Sequence, residues 1–321
     1  VAIALIAGLI SVLLGACGPR ATGPGVRDAS LVLDFTPNAI HAGIYEAIAR
    51  GYDRRAGVAL HVIAPSASTD AIKLLLTGRT DFAILDIHDL AIARAQGQQI
   101  VAIMAIVQRP LASVIAAPQF ASPRQLEGQL VGVTGDPSDL AVLRSVVAGA
   151  GGEPDRVRTI LIGFDAVPDL LSHRVAAATA FWNDEGVTLA HARPGYHVFR
   201  VEDYGAPPYP ELLLCATVND LRSHPALARS VVDALVRGYQ AVIADPRSGE
   251  RALESLVPGL DPTLVAEQLR AELPAFLPQA GGVGGLDHAT LGAWARWEVR
   301  FGIVKRKPDV TTMFDRSFLP R

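Results

Sequence analysis

The feature that most constrains this chain is the alternation, from Ser30 onward, of short apolar runs with segments of helical spacing. Leu31–Leu33, Leu60–Ile63 and Phe82–Leu85 read as strands. His41–Gly51, Thr69–Leu76 and His88–Ala95 read as the helices between them, the last stopped at Gly97. Such alternation makes a sheet whose strands are covered by helices, and Ile100–Val107 completes a βαβαβ run. A second run opens after the Pro/Ser-punctuated segment Pro118–Pro123, with strands predicted at Val131–Val133, Thr159–Ile162 and Ala176–Trp182 and helices at Ser138–Ala148 and Ala166–Ser172. Tyr196–Val201 and Leu212–Val218 bring the chain back. The rest is mostly helical, over Ala226–Ala244, Arg251–Leu256, Pro262–Glu272 and Thr290–Phe301, with Ala280–Gly285 as a loop. Half of the 321 residues are apolar, enough to fill two cores. The expectation is an α/β protein of two lobes, residues 30–117 with 217–321 forming one and 118–216 the other.

The first sixteen residues are small and aliphatic, interrupted only by Ser11. As a helix they would rise about 24 Å, short of the roughly 30 Å hydrocarbon core, so a leader is favoured over a spanning anchor. Leu14-Gly15-Ala16-Cys17 resembles the lipobox of bacterial lipoproteins, in which the leader is cut before the cysteine and that cysteine carries lipid. This implies a signal peptide at 1–16, lipidation at Cys17, a flexible linker over 17–29 and an extracytoplasmic position on the cell membrane. Cys215 would then be the one remaining thiol, so neither a disulfide nor a cysteine metal site is expected.

Lys and Arg number 29 against 32 Asp and Glu, and there is no basic stripe with interleaved aromatics, which argues against nucleic acid as a partner. The glycine clusters lack phosphate-loop spacing, and neither a Gly-x-Ser-x-Gly elbow nor a His-Glu-x-x-His helix occurs. Asp86, His88 and Asp89 could suggest a metal or an acid–base pair, but no further ligand follows at a defined spacing, and either Asp can cap a helix. No cofactor and no metal are expected.

Two α/β lobes place a ligand in the cleft between them, where loops at strand ends converge. The first such loop, Asp34-Phe35-Thr36-Pro37-Asn38-Ala39-Ile40-His41-Ala42-Gly43-Ile44-Tyr45, resembles the signature of the ThiY-type family of solute-binding proteins for pyrimidine precursors of thiamine. The likeness continues through Ala49–Tyr52, Gly57-Val58 and Leu75–Gly97, and recurs at Gly163-Phe164-Asp165 and Trp182-Asn183-Asp184-Glu185-Gly186. It implies a bilobal, periplasmic-binding-protein-like fold of type II and a monomeric, lipid-anchored component of an ABC importer, with permease and ATPase partners. It also implies ligand roles for Asn38, Trp182 and Glu185.

The residues themselves agree with a flat, weakly charged ring, which needs aromatic faces and a few convergent polar groups. Phe35, Tyr45, Trp182 and Tyr209 are candidates for stacking. Asn38, His41, Ser66, Asp86, His88, Thr134, Asn183 and Glu185 are candidates for hydrogen bonds. Thr134–Ser138 also opens a helix and could hold an anion. Another flat heterocycle such as riboflavin is the near alternative. An alkylsulfonate is a more distant one, with Arg109 and Arg144 as the nearest positive contacts.

The fold is shared with an iron-dependent, yeast-type pyrimidine synthase branch. That branch carries a lysine and a histidine in the third-strand loop and a cysteine-dense return strand. Leu85–Asp89 has no lysine and Leu212–Ala216 has one cysteine, so the resemblance points to a binding protein and not an enzyme.

Overall fold

The computed structural model describes residues 25–277 and 282–320. The leader at 1–16 and Cys17 lie outside the described residues, as does part of the predicted Ala280–Gly285 loop. Among the described residues no helix is long and apolar enough to cross a membrane.

Two five-stranded mixed sheets organise the chain. The first contains β1 (Arg27–Val32), β2 (Val58–Ile63), β3 (Phe82–Asp86), β4 (Ile100–Ala105) and a strand from much later in the chain. The second contains β5 (Ala112–Ala116), β6 (Leu130–Val133), β7 (Arg158–Leu161), β8 (Ala177–Phe181) and β9 (His197–Arg200). The late strand is β10 (Leu212–Thr217). Spatial order is β2-β1-β3-β10-β4 in one sheet and β7-β6-β8-β5-β9 in the other, so the two lobes repeat one topology. In each sheet the strand that enters by crossing from the other lobe runs antiparallel to its neighbours: β10 against β3 and β4, β5 against β8 and β9.

The predicted strands and helices are present, with shifts of a few residues at their ends. The lobe boundaries are displaced. β5 was expected in the first lobe, but its pairing with β8 and β9 puts it in the second. β10 was split by the expected boundary at 216/217, yet it pairs along its length with β3 and β4. The crossings therefore lie between Ala105 and Ala112 and between Arg200 and Leu212. The 17–29 linker also ends sooner than expected. Arg27, Asp28 and Ala29 pair with Val58, Ala59 and Leu60, and burial of Ala29 fastens this end of the strand.

Helices cover both sheets. In the first lobe the helix Pro225–Ala244 lies against Ala42–Ala49 with glycines at the contact. A Cβ on Gly238 would overlap the Gly43 carbonyl, and one on Gly43 would enter the Tyr239 ring, whose hydroxyl donates to the Ile40 carbonyl at 2.9 Å. Backbones this close tolerate no added methyl. Gly238→Ala is expected to lower the free energy of unfolding by about 1–3 kcal/mol through overpacking. Urea denaturation checks this, and an unchanged midpoint would show that the two helices separate freely.

Candidate functional site

A cavity of about 230 Å³ lies between the lobes, lined by residues that follow β1, β2 and β3 of the first lobe and β6, β7 and β8 of the second. Strand ends meet there because each sheet points its carboxyl edge at the other. Asp34 and Phe35 come from the loop after β1, Ser68 and Thr69 from that after β2, Asp86 and Asp89 from the start of the helix Ile87–Ala95. Thr134, Asp136 and Asp139 come from the loop and helix after β6, and Phe164 from the loop after β7. Asn183, Asp184 and Glu185 open the helix Glu185–Ala192, which was not among the expected elements.

The aromatic wall is a pair, Phe35 from one lobe and Phe164 from the other, with ring centroids 4.4 Å apart in an edge-to-face arrangement. Around it, seven acidic side chains face a single cation, Lys73. Asn38 fixes the first loop. Its Oδ1 accepts from Ile40 N at 3.0 Å, which caps the short helix Ala39–His41, while its Nδ2 donates across the cleft to Asp184 at 2.9 Å. Asp184 also accepts from Gln268 of the helix Pro262–Phe276, and Asn183 donates to Glu272 of the same helix at 2.8 Å. The carboxyl-terminal region thus secures the second-lobe loop from behind.

Removal from water dominates the electrostatics. Burial pushes Glu185 up to about 8, with the Asp184 charge adding to it. It pushes Asp136 up to about 7 with help from Asp139, and Asp184 up to about 6 against the donation from Asn38. Asp86, Asp89 and Asp139 are raised by burial as well. Two acceptors that line the cavity, Asp89 Oδ1 and Asn183 Oδ1, are buried without a hydrogen-bond partner. The site therefore calls for a ligand that donates hydrogen bonds.

Of the expected ligand residues, Phe35, Asn38, Asp86, Thr134, Asn183 and Glu185 line this cavity. His41, Tyr45, Ser66, His88, Trp182 and Tyr209 do not. His41 is fully buried behind the first loop, where Nδ1 accepts from Asn38 N and Nε2 meets Asp34 at 3.0 Å; it positions the loop. Tyr45 packs in the first-lobe core. Ser66 turns toward Asp70, donating at 2.6 Å, and leaves the cavity to Ser68 and Thr69. Trp182 faces away from the cleft, its Nε1 donating to the Pro110 carbonyl at 3.0 Å and its ring covered by the Arg200 guanidinium at 4.0 Å.

His88 and Tyr209 belong to a buried network between the crossings. His88 Nε2 is hydrogen-bonded to the Tyr209 hydroxyl at 3.1 Å and Nδ1 meets Glu298. Burial alone would lower the His88 pKa, but the charges of Glu298 and Asp86 raise it to about 9. Glu211, in turn, accepts from Ala112 N at 2.7 Å and from Leu111 N, tying one crossing to the other. Among the described residues, Asp86, His88 and Glu211 form the one group of three potential metal ligands within 4.8 Å of one another. Their donors and acceptors are largely engaged with protein.

The helix start after Thr134 is also filled from within. Asp139 takes the Thr134 hydroxyl and Gly135 N, each at 2.9 Å, which leaves no vacancy for an anion. Neither Arg109 nor Arg144 lines the cavity, and Arg144 pairs with Asp155 at 2.8 Å. Sequence reasoning passed over Phe164 as a ring, and over Asp139 and Lys73. For Phe164 and Asp139 the available signal was a position soon after a strand; Lys73, inside the helix Asp70–Leu76, carried none.

Comparison with known proteins gives a consistent assignment. The NMT1/THI5-like family model matches residues 38–248. A formylaminopyrimidine-binding protein of Halalkalibacterium halodurans is 29% identical over 239 residues, covering 74% of this chain and 72% of its own. The riboflavin-binding protein RibY of Chloroflexus aurantiacus is 25% identical over 310 residues, covering 92% and 87%. Relatives of lower identity include proteins named as 4-amino-5-hydroxymethyl-2-methylpyrimidine phosphate synthases. Among solved structures, the alkanesulfonate-binding protein SsuA of Xanthomonas axonopodis pv. citri, bound to MOPS, superimposes with a TM-score of 0.71 at 14% identity, covering 92% of this chain and 100% of its own. That likeness establishes the bilobal binding-protein fold. The family match spans most of both lobes, and the chain belongs to the NMT1/THI5-like family.

Proposed function

We propose that this protein is the extracytoplasmic solute-binding component of an ABC importer and that its ligand is an aminopyrimidine of the thiamine-precursor type. The observation that carries this reading is the lining of the cleft: two phenyl rings and a surplus of buried carboxyl and amide acceptors. A flat ring bearing an exocyclic amine offers a face to Phe35 and Phe164 and N–H donors to Glu185 and its neighbours. The 29% identity to a formylaminopyrimidine-binding protein supports the same ligand class.

The same lining weighs against the alternatives. An alkylsulfonate would meet seven acidic side chains against one lysine, so the balance of charge in the lining opposes an anion. At about 230 Å³ the cavity lies below the roughly 300–1,000 Å³ typical of drug-sized ligands. It suits one ring better than the three fused rings and ribityl chain of riboflavin. An enzyme reading finds little support in the residues: the Leu85–Asp89 loop has no lysine, and Cys215 is fully buried with its thiol raised by that burial. A lipid anchor at Cys17 and a monomeric state remain parts of this proposal.

Calorimetric titration with formylaminopyrimidine is expected to give a saturable heat with micromolar or tighter Kd. Loss of the ring in Phe35→Ala should weaken binding roughly tenfold, and Glu185→Gln roughly tenfold to a hundredfold. Absence of heat with aminopyrimidines, or tight binding of an alkanesulfonate, would contradict the assignment.

The raised carboxyls also predict how the ligand-free protein responds to pH. Their folded pKa values exceed those of unfolded Asp and Glu, near 4, so the folded state holds more protons between that value and about 8. Stability is then complete at the acid end of this window and is lost as pH rises through 6 to 8. His88, raised to about 9, acts in the same direction. The urea midpoint should fall between mildly acidic and mildly alkaline buffer, and Glu185→Gln or Asp136→Asn should flatten the fall. A midpoint that rises with pH would refute this.

A further inference from the structure

The carboxyls of the cleft fall into two sets. Glu185, Asp184 and Asn183 open the helix after β8. On the other side of the cavity Asp89, near the start of the helix Ile87–Ala95 of the first lobe, faces Asp136 and Asp139 of the second. Asp139 is provided for by Thr134 and Gly135, and Asp136 accepts from the Thr134 hydroxyl at 3.2 Å. Asp89 accepts from the Ser138 side chain, yet it is 6% exposed, it lines the cavity, and its Oδ1 has no partner. A buried acceptor left without a donor costs on the order of 1–3 kcal/mol. Placing like charges across the cleft from it adds to that.

The missing donor is not a metal ion bound by these three groups. Among the described residues the convergent triple of metal-ligand type is Asp86, His88 and Glu211, and neither Asp136 nor Asp139 joins it. Nor does Lys73 supply it, since the lysine donates to Thr69 and Asp89 Oδ1 stays without a partner. What fits carboxyl groups presented from two walls is a planar organic donor. An amidinium edge, with a ring N–H and an exocyclic N–H side by side, matches a carboxylate with two parallel hydrogen bonds.

The geometry points to Asp89 and Asp136, with Asp139 behind them, as a second subsite that takes the cationic amidine edge of the ligand. This rests on the aminopyrimidine reading above and adds to it which edge is read and in which protonation state. The groups facing Asp89 are Asp86 and His88 on its own helix and Asp136 and Asp139 from the second lobe; Asp34 of the first lobe also faces Asp136. The proton comes from Asp136, which burial and the neighbouring Asp139 raise to about 7. On binding, a carboxyl O–H bond breaks as the ring N–H bond forms. The products are a carboxylate and an amidinium held in contact, and no other reactant is needed.

The test titrates the full chain with 4-amino-5-hydroxymethyl-2-methylpyrimidine and with its 4-oxo counterpart, which presents a carbonyl where the amine was. The wild type is expected to prefer the amino probe by about a hundredfold or more, because a site built for a donor rejects an acceptor. The ultraviolet difference spectrum of the bound amino probe at neutral pH should be that of the protonated ring. Asp89→Asn and Asp136→Asn, each checked for folding by circular dichroism, should cut the preference to about tenfold or less and return the spectrum to the neutral form. Equal binding of both probes by the wild type, or a neutral spectrum with tight binding, would overturn this subsite and leave the aminopyrimidine function standing. No heat from either probe would remove both.

Discussion

A carboxyl group taken out of water must find donors, a cation or a proton, and the cleft of this protein is built around that requirement. Glu185 keeps one backbone donor, Phe181 N at 3.0 Å, and Asp184 keeps two side-chain amides, from Asn38 and Gln268. Asp89 and Asn183 each retain an acceptor with nothing to accept from. Removed from bulk water and outnumbering the basic groups beside them, these acceptors favour a molecule that supplies N–H donors and disfavour anions. An alkanesulfonate-binding protein shares the frame, so the fold does not choose the ligand; the lining does.

The frame matters because it brings the carboxyl edges of two sheets together around one cavity. Among the described residues two segments cross between the sheets, and the Glu211 carboxylate of one accepts from the Leu111 and Ala112 amides of the other. Beside it, His88, Tyr209 and Glu298 close a buried polar network. Elsewhere the lobes meet through Asn38 with Asp184, Phe35 with Phe164, and the helix Pro262–Phe276, whose Gln268 and Glu272 hold Asp184 and Asn183. A ligand shifts the closure of such a cleft only by what it adds to the closed state.

Much of the fold was legible in the sequence because the signal was periodic and local: apolar runs, helix spacing, and glycines such as Gly97 at positive φ where a helix ends. The lobe boundaries were not, because membership of β5 and β10 is decided by pairing with strands distant in sequence. At the site, Phe35, Asn38 and Glu185 could be found by their positions after strands. His41, Trp182 and Tyr209 were misplaced for one physical reason: a polar aromatic side chain beside a motif satisfies its N–H or O–H equally well from behind the loop as from within the cleft. Phe164 was overlooked because its partner ring is carried by the other lobe.

The central claim, that the cleft selects a small donor-rich heterocycle, is tested most directly by identifying what leaves the purified protein on denaturation, by mass spectrometry of the released small molecules. The account predicts a single-ring amino-heterocycle in stoichiometric amount. A sulfonate, a carboxylate or another anion released in that amount would contradict it.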